Sequence, residues 1–158
     1  VDQKGAALSL DQLRGRVVLM TAVYAACPTG ACSSILAETK ALLDALPPEA
    51  RARLSVVALS LNPEHDTPEV MNAVTKTFGF THPEFRYLNG DPDGLHDLTM
   101  RLGFAPVLDL STGVINHANL FFLIDARGEI AYRLTLDERH RSWLHEGLLA
   151  LTREAEAP

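Results

Sequence analysis

The chain has few of the residues that would assign it to several common protein classes. Its 158 residues include only two cysteines, too few for a small domain held together by disulfides. Lysine and arginine number 14 against 20 aspartate and glutamate residues, so the net charge is −6. A protein that binds nucleic acid through its phosphates needs a basic surface, and this composition therefore predicts no nucleic-acid partner.

Long apolar segments are also absent. No run approaches the roughly 20 apolar residues that cross a membrane as a helix, and no signal peptide is recognisable. Because repeats, low-complexity stretches and linker-like segments are missing too, we expect residues 1–158 to form a single domain. The chain begins at Val1 rather than Met, as we expect of a processed or trimmed form.

The two cysteines, in contrast, lie close together. Cys27 and Cys32 belong to the segment 27–32, which follows the apolar run 17–24 and precedes the start of a predicted helix at 33–38. A helix N-terminus presents free N–H groups and the positive end of the helix dipole, and both favour a thiolate. Thiolates exchange with disulfides and bind soft metals, so the segment is a candidate site for either chemistry.

Alternating apolar patterns predict a sheet with helices between its strands. Two continuous apolar runs are typical of strands buried on both faces, and apolar residues at helical spacing follow each of them. The predicted order is strand 17–24, helix 35–46, strand 54–61, helix 68–78, strand 85–88, helix 95–102, a hairpin of 119–125 and 129–135, and a helix after Asp137. This order predicts an α/β, thioredoxin-like fold with a mixed central sheet flanked by helices and a β-hairpin near the C-terminal end.

Two of the predicted helices carry clear terminal signals. Thr67 is a suitable N-cap with Pro68 at the first helical position, and Gly79 stands where a glycine ends a helix. An apolar face on that helix comprises Val70, Ala73, Val74 and Phe78. We expect Asp137 to cap the last helix, and that helix to carry Trp143, Leu144, Leu148 and Leu151 on one side.

Three segments, in this order, resemble the Sco/SenC family of thioredoxin-fold proteins, which handle copper during assembly of cytochrome c oxidase. The first runs from Leu13 to Leu19 and leads into Tyr24-Ala25-Ala26-Cys27-Pro28. The second, 60–70, is similar to the family's Asp-Pro-x-Arg-Asp-Thr-Pro segment, and the third is the apolar strand 117–125 that begins at His117. Together with the weaker stretch 85–103, the resemblance covers nearly the whole chain.

The resemblance implies a function and a site. By it, Cys27, Cys32 and His117 occupy the family's three copper-ligand positions, and the bound metal is Cu(I) or Cu(II). It implies a metallochaperone that aids assembly of the copper site of cytochrome c oxidase, with that enzyme's copper-site subunit or another copper protein as partner. It further implies an extracytoplasmic location, in the bacterial periplasm, with a membrane anchor upstream of this chain.

An alternative function also agrees with the residues. In a thiol–disulfide oxidoreductase that reduces the cysteines of a partner protein, Cys27 and Cys32 would form the catalytic redox pair. Thioredoxin-type enzymes prefer two residues between their cysteines, and four stand between them here. A wider pair can still form a disulfide if the turn between them is flexible.

The chain departs from the family pattern around this pair. The family has three residues between the cysteines and usually a proline after the second, where this chain has four residues and Ser33. An extra residue turns a helix by about 100°, and we expect Gly30 to absorb it because glycine tolerates a positive φ. Asn62 and His65 replace the acidic and arginine positions of the second segment.

Several polar residues near the motifs have a structural interpretation. We expect Asn62, His65 and Asp66 to shape a loop and cap the helix that follows. His96 and Met100, four residues apart, could contact a soft metal, but an exposed helix face accounts for them better.

Overall fold

We describe the fold from a computed structural model, in which residues 1–155 are described. Residues 156–158, which belong to the predicted domain, lie outside that range. The elements are β1 (Val17–Val23), α1 (Ala31–Ala45), α2 (Pro48–Ala52), β2 (Leu54–Ser60), α3 (Pro68–Thr77), β3 (Phe85–Leu88), α4 (Pro92–Arg101), β4 (Val107–Leu108), β5 (Ile115–Asn116), β6 (Leu120–Ile124), β7 (Ile130–Thr135) and α5 (Glu138–Glu154), after a 3-10 helix at Leu10–Leu13. None of the helices within residues 1–155 combines the length and the apolar character needed to span a bilayer.

A five-stranded sheet with the order β3-β2-β1-β6-β7 forms the centre of the fold. Strands β1, β2 and β3 are parallel, whereas β6 runs antiparallel to β1 and β7 antiparallel to β6. All seven residues of β1 and of β2 are buried, as expected for apolar runs in the middle of a covered sheet. The predicted mixed sheet and the predicted hairpin of residues 119–135 are therefore confirmed.

The parallel strands end together at one edge of the sheet, and this edge positions the site. Val23, the last residue of β1, pairs with Ser60, the last residue of β2. Helix α1 leaves this edge and buries Ile35, Leu36, Leu42 and Leu43, each of which contributes about 1.5–3 kcal/mol through burial. The cysteine segment thus lies between a fixed strand end and a fixed helix.

Three of the numbered elements were not predicted. Helix α2 has five residues and follows Pro47, where the sequence indicated only that a helix stops. Strands β4 and β5 pair antiparallel over two residues each and form a small hairpin outside the main sheet. Elements of this length show too few residues for a periodic pattern.

The apolar side chains of α3 and α5 differ from expectation. Helix α3 buries Met71 and Thr75, while Val70 and Ala73 of its apolar face remain exposed. On α5, three leucines, Leu144, Leu148 and Leu151, are buried as predicted. The placement of Trp143 with them was wrong, because its side chain is 56% exposed and lies about 100° around the helix from Leu144.

The start of the chain covers the outer edge of β3. Asp2 forms an antiparallel bridge with Leu88, and the Asn89 N–H donates to the Val1 carbonyl at 2.8 Å. The Asn89 side-chain amide donates to the carbonyls of Pro63 and Asp66, both at 2.8 Å. These contacts connect the first residues to the loop after β2, and they pair groups that an open edge strand would expose.

Candidate metal centre

Two distant parts of the chain, the cysteine segment and the residues around His117, meet at the edge where β1 and β2 end. Cys27 lies in the loop after β1, Cys32 in the first turn of α1, and His117 between β5 and β6. Cys32 is buried, with 2% of its surface exposed, whereas Cys27 and His117 are half-buried. Both cysteines are free thiols. A thiol pair and an imidazole therefore come together only because the sheet folds.

Gly30 makes the turn that separates the two cysteines. It is the N-cap of α1 and has a φ of +75°, in the left-handed region that favours glycine. A Cβ at this position would meet nothing within 4 Å, so the requirement comes from the backbone angle and not from crowding. The expectation that Gly30 adopts a positive φ is confirmed.

His117 is fixed in one protonation state by its neighbours. Its Nδ1 lies 3.2 Å from the Ala118 carbonyl, which can only accept, so Nδ1 carries the proton. Burial lowers the pKa of His117, which keeps the ring neutral at neutral pH. The Nε2 lone pair therefore faces the Cys32 Sγ, 3.6 Å away, and a neutral imidazole nitrogen of this kind is a good metal ligand.

The buried thiol of Cys32 keeps its proton. Burial raises the pKa of Cys32 to about 12, and the nearby Cys27 and Asp66 charges act in the same direction. The backbone N–H of Tyr24 donates to the Cys32 Sγ at 3.5 Å and opposes this rise only in part. A metal that binds here must displace this proton.

Cys27 is the more acidic thiol. Burial raises the pKa of Cys27, but hydrogen bonds from the Thr29 hydroxyl and from the backbone and thiol of Cys32 outweigh it and lower the pKa to about 7. The Thr29 Oγ1 lies 3.3 Å from the Cys27 Sγ. The same oxygen accepts from the Ala31 N–H at 3.4 Å, so its own hydrogen is free for the sulfur. Cys27 is therefore substantially a thiolate at neutral pH.

Asp66 supports the site from below. Its carboxylate is 1% exposed and accepts hydrogen bonds from the hydroxyls of Ser60 at 2.7 Å and Tyr87 at 2.8 Å, and from the Ala25 N–H at 3.2 Å. Burial raises the pKa of Tyr87, so this phenol remains a donor. Asp66 thus connects the loop that contains Cys27, through Ala25, with the end of β2, through Ser60.

The structural interpretation of the neighbouring loop residues is only partly right. Asn62 and His65 form a hydrogen bond of 3.0 Å across a turn, as expected of loop residues. Thr67 rather than Asp66 caps α3, because the Thr67 side chain accepts from the Val70 N–H. A single acidic residue after a buried strand gave no sign that its partners lie up to 41 residues away.

The candidate ligands are close but do not form a closed metal cage. Within residues 1–155, no three histidine, cysteine, aspartate or glutamate side chains are grouped so as to hold a metal ion. Cys32 contacts His117 directly, and the Cys27 sulfur contacts the Thr29 hydroxyl. Binding of one metal ion by all three residues therefore requires their side chains to rearrange. His96 and Met100 lie exposed on α4.

The fold and the thiol pair define a thioredoxin-like protein. The SCO1/SenC family model matches residues 1–147, and the chain belongs to this family. A protein of Stutzerimonas stutzeri described as copper-binding is 30% identical over 149 residues, which cover 89% of this chain and 71% of that protein.

Solved structures agree with the fold. A SCO1/SenC family lipoprotein from Bacillus anthracis has a TM-score of 0.85 at 19% identity and covers 96% of this chain and 90% of its own. Bradyrhizobium japonicum ScoI, solved with copper bound, has a TM-score of 0.75 at 24% identity over 96% of this chain and 94% of its own.

Proposed function

We propose that this protein is a copper metallochaperone that holds copper between Cys27, Cys32 and His117 and passes it to another copper protein. The observation that carries the proposal is the contact of 3.6 Å between the Cys32 Sγ and the lone-pair nitrogen of His117, beside a second, acidic thiol. Cu(I) prefers soft thiolates, and a neutral imidazole completes a low-coordinate site. Membership of the SCO1/SenC family and the copper-binding relative support the choice of metal.

The residues have distinct roles in holding the cargo. Cys27 offers a thiolate that is largely formed before copper arrives, because its pKa is about 7. Cys32 loses its proton on binding, and His117 Nε2 then faces copper instead of the thiol hydrogen. Asp66 keeps the loop of Cys27 in place through Ala25. The half-buried Cys27 is the ligand that a recipient protein can reach first.

The recipient we propose is the copper-site subunit of cytochrome c oxidase. Membership of the SCO1/SenC family supports this choice, as does a solved relative, BsSco, that is described as a member of the Sco family of cytochrome c oxidase assembly proteins. The Bacillus anthracis relative is a lipoprotein, which supports an extracytoplasmic location for this chain as well.

Anaerobic competition with a Cu(I) chelator tests the proposal. We expect the reduced protein to bind about one copper ion, and Cys27→Ser and Cys32→Ser each to lose most of the affinity, because a hydroxyl is a poor ligand for a soft metal. His117→Ala should weaken binding without unfolding the protein. His96→Ala is the matched control, since this exposed histidine lies on α4, and its affinity should equal that of the wild type. Equal competition by the wild type and the double Cys→Ser variant would exclude the chaperone function.

A second function is favoured by the difference between the two thiols. With Cys27 at a pKa of about 7 and Cys32 at about 12, Cys27 is the attacking thiol and Cys32 the resolving thiol of a disulfide reductant. A measured reduction potential, together with loss of disulfide reduction in Cys27→Ser, would support this function. If neither Cys27→Ser nor Cys32→Ser changes the rate at which a partner disulfide is reduced, thiol exchange is not the activity.

A further inference from the structure

An apolar groove of about 470 Å³ opens beside Cys27, between α1 and α3. We call it the α1–α3 groove. It is lined by Cys27, Leu36, Val70, Ala73, Val74 and Phe78, among others, and apart from the Cys27 thiolate none of its lining residues is charged. Its volume falls within the range of about 300–1,000 Å³ that is usual for ligand pockets.

The groove exists because the apolar face of α3 is only partly covered. Val70 is 38% exposed and Ala73 is also exposed, while Val74 and Phe78 are half-buried. The start of the helix is fixed by the Thr67 cap and Pro68, so this face is presented on a regular helix. An open cleft with an apolar lining of this kind has room for an apolar group from another molecule.

The position of Cys27 decides what can occupy the groove. Any partner sulfur that exchanges with Cys27, or takes a metal ion from it, must come within bonding distance of the Cys27 Sγ. The groove that begins at Cys27 also includes Val70 and Ala73, so it offers a side chain next to that sulfur an apolar surface to pack against. Apart from Cys27, whose thiolate is taken up by the exchange or by the metal, no lining residue is charged. A charged side chain over the rest of the groove would therefore lose hydration without gaining a partner.

We propose that the α1–α3 groove binds a large apolar side chain adjacent to the cysteine of the partner protein. The protein thereby selects cysteines that are flanked by residues such as leucine or phenylalanine over cysteines in polar segments. This inference rests on the proposed function of the Cys27 site, in either its copper-transfer or its thiol-exchange form, and adds to it the chemical class of the partner segment.

Thiol exchange with two synthetic peptides tests the inference. The peptides carry Leu-Cys-Leu or Ser-Cys-Ser with capped ends, and each cysteine is joined by a disulfide to thionitrobenzoate. The Cys27 thiolate attacks the peptide sulfur, the new Cys27–peptide disulfide forms, and thionitrobenzoate leaves as a coloured thiolate. Cys32→Ala is the background variant, because without the resolving thiol the reaction stops at this mixed disulfide.

We expect the leucine peptide to react at least about tenfold faster than the serine peptide at low peptide concentration, since burying one leucine side chain supplies that much. Val70→Asp and Ala73→Asp, each made in the same background, should reduce the ratio of the two rates to about one. The rate with 2-hydroxyethyl disulfide, which has no side chain to bind, corrects for any change in the reactivity of Cys27. Leu110→Asp is the matched control, because Leu110 is 90% exposed outside the groove, and it should keep the tenfold ratio.

Equal rates for the two peptides in the background variant would overturn the inference, as would a ratio that survives both groove substitutions. Competition with a Cu(I) chelator, measured on the protein with both cysteines, distinguishes failure of the groove inference from failure of the proposed function. Normal copper binding with no peptide preference would refute the groove alone. If the protein with both cysteines neither binds copper nor exchanges thiols, the proposed function is refuted and the inference with it.

Discussion

The two sides of the candidate metal centre differ in how firmly they are built. We call Cys32 and Asp66 the sheet side, because they hydrogen-bond with Tyr24 and Ser60 at the ends of β1 and β2. They are 2% and 1% exposed, and Asp66 accepts three hydrogen bonds. On the loop side, Cys27 is half-buried, Thr29 is exposed, and the turn depends on the positive φ of Gly30. The pair therefore includes one buried thiol, Cys32, which the fold keeps protonated, and one more accessible thiol, Cys27, which remains reactive.

This difference shows how a single site can both retain and release a cargo. Desolvation dominates on the sheet side and raises the pKa of Cys32 to about 12. On the loop side, hydrogen bonds to the thiolate outweigh desolvation and lower the pKa of Cys27 to about 7. The buried Cys32 thiol needs a metal to lose its proton, whereas the half-buried Cys27 thiol is available to a partner even when no metal is bound.

The largest expected effect is the difference in alkylation between the two cysteines. In the folded, reduced, metal-free protein at pH 7, we expect iodoacetamide to modify Cys27 at least ~1,000-fold faster than Cys32, because only the thiolate reacts and Cys32 is also buried. The rate at Cys27 should rise with pH and level off above its pKa of about 7, where the thiolate is fully formed. Mass spectrometry of the separated peptides measures both rates, and rates within tenfold of each other would contradict the comparison.

Removal of the Asp66 carboxylate should have the next largest effect. Asp66→Ala leaves the hydroxyls of Ser60 and Tyr87 and the Ala25 N–H without their acceptor in a buried place, and we expect the free energy of unfolding to fall by about 3 kcal/mol. Denaturant unfolding measures this change. Asp97→Ala on the exposed face of α4 is the control and should change it by less than about 0.5 kcal/mol. A similar loss in both variants would mean that the sheet side is not specially anchored.

Substitution of Gly30 should have a smaller effect. Gly30→Ala forces a residue with a Cβ into a φ of +75°, which we expect to lower the free energy of unfolding by about 1–2 kcal/mol. Gly30→Asn should lose less, because asparagine tolerates the left-handed region better. Thermal or denaturant unfolding of both variants checks the order, and an unchanged Gly30→Ala protein would show that the turn can relax.

The smallest expected effect concerns the Thr29 hydroxyl, which contacts the Cys27 sulfur. Thr29→Val keeps the shape of the side chain but removes the group that lies 3.3 Å from the Cys27 Sγ, so we expect the pKa of Cys27 to rise. Alkylation of Cys27 at pH 7 should then slow by about 1.5- to twofold, because the loss of roughly half a kcal/mol of hydrogen bonding raises a pKa by about 0.4 and lowers the thiolate fraction from about one half to about one third. Thr29→Ser retains the hydroxyl and should react like the wild type. Slowing in both variants would assign the effect to packing.

The sequence predicted those parts of the fold that a local pattern determines. The apolar runs of β1 and β2 and the caps at Thr67 and Asp137 all lie where they were expected. Strands β4 and β5 were missed because two residues show no period. Trp143 was misplaced because its neighbour Leu144, one position on, determines which side of α5 is buried.

The candidate site was predictable in its residues but not in its contacts. Chain order predicted a thiol pair at a strand-to-helix junction, and the family resemblance added His117, whose role as a ligand stays a prediction. Nothing in a linear pattern shows that Asp66 reaches Ala25, or that the apolar face of α3 stays open beside Cys27. Both facts depend on how separate elements pack, which only the three-dimensional arrangement determines.

The contact between Val1 and Asn89 has a practical consequence for experiments. Asn89 follows the last residue of β3 and holds the loop of Asp66, so the first residue lies at the edge of the sheet where Cys27 and Cys32 are found. Helix α5, in contrast, runs back to α2, and its last turn lines a cavity with Pro47 and Ala50 at the opposite edge. An affinity tag, fluorophore or surface linker attached at Val1 would therefore start from the same edge of the sheet as the thiols. One attached after α5 leaves them accessible.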